Sequence, residues 1–256
     1  MKKNILAVDI GNTSAHFILY SPKGVRKKEF RVKTSEIGAK AARIIQRNIS
    51  LKSAPVIVAA SVVPDASRIL KKVISGKLKL PFLLIGKDLQ IPVINRYKKP
   101  EQVGIDRLLN AYAAYSRHRR ELIIIDFGTA ITFDLVSAAG EYLGGIIAPG
   151  IEISLEALFQ KTALLPKIRL AHPTSLIGQD TAESIRVGCT VGIGGLCDRI
   201  VERIRRHHLP KALVITTGGY AHFMRRYCKS IGIIDEQLVL KGIVRIYQNF
   251  LKQTFK

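Results

Sequence analysis

The chain has 256 residues, of which 47% are hydrophobic and 23% charged, so it can bury a substantial core and is not a disordered polymer. Its three cysteines form no CxxC pair, which excludes a disulfide framework and a standard zinc site and is typical of the reducing cytoplasm. The net charge is +22, and no apolar run approaches the roughly 20 residues that cross a bilayer, so we expect a cytoplasmic protein without membrane spans.

The predicted elements alternate between strands and helices along the chain. The strands are apolar runs that end at turn residues, and the helices have apolar residues at helical spacing, several with basic outer faces. In chain order we predict two strands within 5–20, helix 36–49, strand 54–63, helix 66–78, strand 81–86, helix 104–120, two strands within 122–136, helix 196–208 and strand 212–219.

The opening pattern of the chain occurs twice. Residues 5–20 read ILAVDIGNTSAHFILY, and residues 122–136 read LIIIDFGTAITFDLV. In each case an apolar strand ends in aspartate, a turn with glycine and a small polar residue follows, and a second apolar strand begins. Asp9 and Asp126 are 117 residues apart, almost half of the chain. A strand–turn–strand unit repeated once per half predicts two related α/β domains.

The first of these turns has residues suited to binding phosphate. Gly11 permits a tight turn and a close approach of the backbone to an anion. Donor side chains follow it at Asn12, Thr13 and Ser14, and the carboxylate of Asp9 can hold hydrated Mg²⁺ against phosphates. The same residue types are common in ordinary hairpin turns, and a single copy would favour that interpretation.

The second copy of the turn favours a ligand site. Its sequence, Asp126-Phe-Gly-Thr-Ala, repeats the acidic, glycine and hydroxyl residues of the first turn. Two such turns at equivalent places can hold one polyphosphate from both sides. The chain has no Walker-type motif, so a P-loop enzyme is not predicted.

A third segment, 97–107, reads YKKPEQVGIDR and leads into a long predicted helix. Asp106 and Arg107 fall in its first turn, where the helix dipole and the arginine both favour an ionised carboxylate. Such a carboxylate near a phosphate site can accept a proton from a substrate hydroxyl, because phosphoryl transfer requires mainly positioning. The segment is equally compatible with an acidic residue that only stabilises the helix N-terminus.

Two glycine-rich segments, 144–150 and 216–219, can either present bare backbone to a ligand or form tight packing turns. At the second of them, the ligand would be an adenine lying against the backbone. The six histidines show no metal-ligand spacing, and the cysteines show no nucleophile pattern.

Together these motifs occur in an order that resembles the type III pantothenate kinases. The resemblance covers essentially the whole chain and is carried by DIGNT (9–13), Tyr97 with VGIDR (103–107), DFGTAITFD (126–134), YLGGIIAPGI (142–151), TALLP with IGQDTAESIRVG (162–188) and TTGG (216–219). It implies ATP-dependent phosphorylation of pantothenate, the first step of coenzyme A biosynthesis. It also implies the fold of the superfamily that includes acetate and sugar kinases, heat-shock ATPases and actin.

Matching motifs imply roles for individual residues. Asp106 would accept the proton of the pantothenate hydroxyl, Asp126 would hold K⁺, and Asp9 would face Mg²⁺ through water. The implied ATP-binding residues are Asp9, Ile10, Gly11, Asn12, Thr13, Ser14, Ala15, His16 and Thr129, and the implied pantothenate-binding residues are Tyr97, Gly104, Ile105, Asp106, Arg107 and Thr181. The implied cofactors are ATP, Mg²⁺ and a monovalent cation, K⁺ or NH₄⁺.

The expected architecture is two similar actin-like (ribonuclease H-like) domains, 1–118 and 119–256, with a nucleotide cleft between them. The resemblance also implies a homodimer with a shared active site, in which Thr181 lies near the interface. Two alternatives remain open at this point. One is a kinase of the same fold that acts on another small hydroxylated substrate, and the other is a regulator that resembles the Bvg accessory factor proteins and binds nucleic acid.

The distribution of charge bears on the second alternative. Residues 1–100 hold 21 basic and 5 acidic side chains, whereas residues 101–256 hold 20 basic and 14 acidic ones. Such an excess can attract nucleic acid, anionic surfaces or polyanionic small molecules. The basic residues are spread over several segments and aromatic residues make up only 7%. We therefore do not expect nucleic acid to be the main partner.

Overall fold

The computed structural model describes residues 3–49 and 55–254, so Ala54, the first residue of one predicted strand, lies outside the described residues. The strands are β1 (Ile5–Ile10), β2 (Ser14–Tyr20), β3 (Arg26–Lys33), β4 (Val56–Ser61), β5 (Phe82–Leu84), β6 (Leu122–Phe127), β7 (Ala130–Val136), β8 (Tyr142–Pro149), β9 (Leu213–Thr217) and β10 (Ile233–Ile234). The helices are α1 (Ile37–Asn48), α2 (Pro64–Lys71), α3 (Ile105–His118), α4 (Ile151–Lys161), α5 (Thr181–Val187), α6 (Ile193–His207), α7 (Ala221–Met224) and α8 (Leu238–Thr254). No helix in this part of the chain is both long and apolar enough to cross a membrane.

The strands form two five-stranded sheets with the same topology. In the first, of order β3-β2-β1-β4-β5, the strand β1 pairs antiparallel with β2 and parallel with β4. In the second, of order β10-β9-β6-β7-β8, the strand β6 pairs antiparallel with β7 and parallel with β9. The duplication predicted from the sequence is therefore confirmed. In both sheets, the strand that follows the glycine turn pairs antiparallel with the first strand, and the strand on its other side pairs parallel with it.

The described residues form two compact units, each built on one sheet. The first contains residues 3–49, 55–93, 98–113 and 238–254, and the second contains residues 94–97 and 114–237. These units differ from the predicted domains, 1–118 and 119–256, mainly at the C-terminal helix. Helix α8 belongs to the first unit because its apolar side chains, Ile243 among them, are buried together with Ile5 of β1.

Alternation along the strands gives each sheet two distinct faces. In β1, Leu6 and Val8 pack in the cluster formed with α1 and α2, whereas Ile5 and Ala7 pack in the cluster that contains α8. Asp9 continues the second of these rows. Asp126 is likewise on the face of β6 opposite to the cluster that contains α6.

Candidate active site

The first predicted phosphate turn connects β1 to β2, and a threonine braces it. The Gly11 amide donates to the Ser14 carbonyl at 3.1 Å and closes the turn. The hydroxyl of Thr34 donates to the Gly11 carbonyl at 2.7 Å, and the amide of Thr34 donates to the Thr13 carbonyl at 3.1 Å. Asn12 and Thr13 are exposed at the tip. A braced backbone with exposed donor residues suits an anionic ligand.

Asp9 and His16 lie opposite each other in the β1–β2 pair, so they share one face of the sheet. His16 is nearly buried, and its Nε2 donates to Oε1 of Glu29 at 2.7 Å. Burial, and then the charge of Arg31, lower the pKa of His16 although Glu29 acts in the opposite direction. Burial therefore disfavours the charged imidazole, and the single ring N–H of the neutral form is already donated to Glu29. The His16 side chain thus offers a phosphate neither a positive charge nor an N–H donor.

The second turn connects β6 to β7 and is one residue shorter. The Gly128 amide donates to the Ala130 carbonyl at 3.1 Å, and Thr129 is exposed at the tip. Asp126 lies opposite Thr132 in the strand pair, just as Asp9 lies opposite His16. The order of carboxylate, glycine and hydroxyl residue predicted from the sequence is thus present at the end of both first strands.

Two glycines from the predicted ligand segments pack directly against the second turn. A Cβ atom added to Gly150 would overlap the carbonyl of Thr129. Gly218 has a φ of +91°, and a Cβ added there would overlap the carboxylate of Asp126 and lie 2.5 Å from the carbonyl of Phe127. Of the two interpretations given for these glycine-rich segments, tight packing is the one that fits the contacts of Gly150 and Gly218. Both glycines help to hold the turn that carries Asp126.

Asp106 lies in the first turn of α3, as predicted. Its Oδ1 accepts the amide of Arg107 at 2.9 Å, and a Cβ added to Gly104 would lie 2.5 Å from the same oxygen. Burial raises the pKa of Asp106, while the hydrogen bond and the charge of Arg107 act in the opposite direction and only partly offset it. From the sequence we expect the helix dipole and Arg107 to favour the ionised carboxylate. Burial of the side chain favours the neutral form, and its effect on the pKa is larger than that of Arg107.

Tyr97 belongs to the second unit, where it lies beside β8. Its amide donates to Oδ1 of Asn95 at 3.0 Å, and its ring centroid is 6.5 Å from that of Tyr142. The ring also rests on the backbone of Gly144, since a Cβ there would lie 3.5 Å from it.

Thr181 is the exposed first residue of α5. The side chain of Asp180 caps this helix by accepting the Glu183 amide at 2.8 Å. Glu183 in turn accepts the hydroxyl of Thr174 at 2.8 Å and also its amide, which ties the preceding loop to the helix. Thr181 is therefore presented on a rigid, capped helix start.

Several side chains that support these residues were missed by sequence analysis. Thr34 lies 23 positions from Gly11 and has no local signal, and neither has the Glu29 side chain that holds His16. Asp134 did have a signal, because an acid interrupts the apolar run of β7, but the sequence does not show that it is fully buried. Tyr142 donates its hydroxyl to Asp134 at 2.8 Å.

The carboxylates present fit a lightly coordinated cation. Among residues 3–49 and 55–254, no three histidine, cysteine, aspartate or glutamate side chains form a group that could hold a metal. Single carboxylates such as Asp9 and Asp126 suit Mg²⁺, which keeps several waters and binds mainly to substrate phosphates. Carboxylate oxygen is also a suitable donor for K⁺, as a hard cation.

Comparison with known sequences identifies the family. A sequence model of type III pantothenate kinases matches residues 5–203. The chain belongs to the type III pantothenate kinase family. A protein named type III pantothenate kinase from Syntrophus aciditrophicus is 36% identical over 251 residues, which cover 95% of this chain and 98% of the relative. The family favours the kinase over the nucleic-acid-binding regulator considered above.

Solved structures support the fold. A Campylobacter jejuni structure whose name assigns it to the Baf family of transcriptional activators has a TM-score of 0.60 at 21% identity, covering 96% of this chain and 99% of that one. The activator of 2-hydroxyisocaproyl-CoA dehydratase from Clostridium difficile, solved with bound ADPNP, has a TM-score of 0.54 at 10% identity, covering 98% and 97%. At these identities the similarity concerns the fold, which is the actin-like α/β fold expected for this family.

The packing of Gly218 against the second turn predicts a selective effect of substitution. Gly218→Ala should lower the free energy of unfolding by about 1–3 kcal/mol, because the added methyl meets Asp126 and Phe127 at a positive φ. Gly219→Ala is the matched control, since a Cβ there meets nothing within 4 Å, and it should change stability by less than about 0.5 kcal/mol. Urea denaturation measures both. Equal effects would contradict the packing role of Gly218.

Proposed function

We propose that this chain phosphorylates pantothenate with ATP, the first step of coenzyme A biosynthesis. The family match over residues 5–203 and the relatives named type III pantothenate kinase support the reaction. Within the chain, the observation that carries the proposal is the half-buried carboxyl of Asp106, whose pKa is raised by burial and whose orientation is fixed by the Arg107 amide. A carboxylate with a raised pKa is a stronger base than a solvated one.

In the proposed reaction, the hydroxyl oxygen of pantothenate forms a bond to the γ-phosphorus of ATP. The bond from that phosphorus to the bridging oxygen breaks, ADP leaves, and Asp106 accepts the hydroxyl proton. The transition state of phosphoryl transfer is loose, so the residues contribute mainly position and charge. Gly104, Ile105 and Arg107, around Asp106, are proposed to bind pantothenate together with Tyr97.

The nucleotide is assigned to the two glycine turns. The proposed ATP-binding residues are Asp9, Ile10, Gly11, Asn12, Thr13, Ser14, Ala15 and His16 of the first turn, with Thr129 of the second. Asp9 would hold Mg²⁺ through water, and Asp126 would hold K⁺ or NH₄⁺. Bound cations of this kind neutralise phosphate charge during transfer. The bracing by Thr34 and the packing of Gly218 and Gly150 keep these turns in place beforehand.

We also propose a cytoplasmic homodimer whose active site is shared. The second unit exposes large apolar side chains on β8 and on the segment that leads to Thr181: Ile147 is 63% exposed, Leu164 92% and Ile177 79%. We propose that these side chains belong to a face that another chain covers, since exposed apolar patches mark such faces. The three cysteines are free, buried thiols, as expected in a reducing compartment.

The proposed function predicts a K⁺-dependent reaction. With ATP, Mg²⁺ and pantothenate, the chain should release one ADP per pantothenate consumed. Replacing K⁺ by Na⁺ should lower turnover, because the smaller ion holds water more tightly, and Asp126→Asn should raise the K⁺ concentration required. A coupled ADP assay measures all three. Absence of pantothenate-dependent ADP release would refute the function, whereas equal rates in K⁺ and Na⁺ would refute only the cation site.

Removing the proposed base should affect turnover and leave nucleotide binding unchanged. Asp106→Asn keeps the shape of the side chain and should lower kcat by roughly 10²–10⁴. In the unchanged chain, kcat should fall as the pH drops through the pKa of Asp106, which lies above the ordinary value of 3.8, because only the ionised form accepts a proton. Asp65→Asn, at an exposed carboxylate on α2, is the control. If Asp106→Asn keeps a near-normal kcat, Asp106 is not the base and only stabilises the start of helix α3.

A shared site predicts complementation between two inactive chains. Sedimentation should first detect a species near twice 28.3 kDa. After subunit exchange, Asp106→Asn mixed with Thr181→Ala should then recover part of the activity. In the hybrid dimer, one site combines the intact Asp106 with the intact Thr181, while the other carries both defects. An active monomer, or no recovery despite demonstrated exchange, would mean that each chain builds its site alone.

A further inference from the structure

The backbone around Tyr97 is tied to strand β8. The Arg96 amide donates to the Tyr142 carbonyl, and the Tyr142 amide donates to the Ile94 carbonyl, both at 2.9 Å. The Nε of Arg96 also donates to the Glu141 carboxylate at 2.9 Å. The chain before Tyr97 therefore follows β8, so that movement of Tyr142 would be transmitted to Tyr97.

The ring of Tyr97 packs on the same strand. Gly144, with a φ of +124°, leaves room for it, and the Tyr142 ring lies beside it at an interplanar angle of 48°. Tyr97 is only half-buried, whereas Tyr142 is completely buried. Tyr97, the proposed substrate contact, is therefore supported by the buried ring of Tyr142 and by the backbone of Gly144.

Tyr142 is itself held by a buried carboxylate that the proposed reaction does not use. The Tyr142 hydroxyl donates to Oδ1 of Asp134 at 2.8 Å, and the Thr132 hydroxyl donates to Oδ2 at 3.1 Å. Asp134 is fully buried. A buried carboxylate is costly unless hydrogen bonds hold it, and bonds to a charged acceptor are stronger than neutral ones.

We propose that Tyr142, fixed by Asp134, is a positioning residue for Tyr97 and thus for pantothenate binding. This inference rests on the proposed function, and specifically on Tyr97 as a substrate contact. The hydrogen bond fixes the position of the hydroxyl end of the Tyr142 ring, and the ring so held limits the positions open to the Tyr97 ring beside it. Thr132, which also donates to Asp134, lies opposite Asp126, so the polar face is continuous with the proposed cation ligand.

The test removes a single hydroxyl. Tyr142→Phe keeps the ring and should raise the KM for pantothenate roughly three- to tenfold, the range expected from losing one hydrogen bond. The kcat and the KM for ATP should stay unchanged. Tyr115→Phe is the matched control, since its hydroxyl donates to the Ala138 carbonyl at 2.9 Å in the same unit. It should leave both KM values unchanged, whatever its effect on thermal stability.

The role of Asp134 is tested by two substitutions of different severity. Asp134→Asn keeps an oxygen that can accept the Tyr142 hydroxyl, so its KM for pantothenate should stay near that of the unchanged chain. Asp134→Ala should raise the KM for pantothenate by about as much as Tyr142→Phe does, because it removes the acceptor of the same hydrogen bond. Failure of Asp134→Ala to fold would leave Tyr142→Phe, which removes no apolar contact, as the deciding variant.

A double-mutant cycle with Tyr97→Ala separates the inference from the proposed function. If Tyr142 acts through Tyr97, adding Tyr142→Phe to Tyr97→Ala should raise the KM for pantothenate no further. Independent, multiplying effects would overturn the positioning role while the function stands, and so would an unchanged KM in Tyr142→Phe. An unchanged KM in Tyr97→Ala, with normal pantothenate turnover, would refute the role of Tyr97 and this inference together. Calorimetric titration with pantothenate provides a readout that does not require turnover.

Discussion

The burial of the first strand in each sheet is the constraint on which the rest of the structure depends. In β1 and β6, five of six residues are buried, and the exception in both is the aspartate at the fifth position. Each strand has an antiparallel partner on one side and a parallel partner on the other, so neither can shift its register without exposing its apolar row. Asp9 and Asp126 are therefore held at fixed places by the buried residues on both sides of them in the strand, which include Ile10 and Phe127.

Burial also sets the chemistry of the ionisable side chains, in opposite directions for acids and bases. It raises the pKa of Asp106 and lowers that of His16, because in each case it disfavours the charged form. For Asp106 this produces a better proton acceptor, and for His16 it removes a positive charge from the first turn. His16 therefore adds little positive charge to the first turn, where the resemblance implies phosphate binding, although the chain as a whole carries a net charge of +22.

Much of this organisation could be predicted because its signals are local. Residues 5–20 and 122–136 carry nearly continuous apolar runs broken by Asp and Gly, and α3 has clear helical periodicity. By contrast, β3 is an exposed edge strand rich in lysine and arginine, so it lacks the apolar alternation that identifies a strand. Contacts between distant residues, such as Thr34 with Gly11, and desolvation, as at Asp106, depend on packing that no sequence window contains.

The position of α8 has a consequence for synthesis. This helix of 17 residues is the last element in the described part of the chain, yet it is buried against β1, the first. A ribosome releases the N-terminal residues first, so the β1 side chains on this face lack their α8 partners until α8 has been translated. Contacts of such long sequence separation slow folding. A truncation that removes the buried residues of α8, which lie between Leu238 and Tyr247, would therefore damage the unit that is made first, and a nascent chain would expose this apolar surface of β1 until α8 has been made.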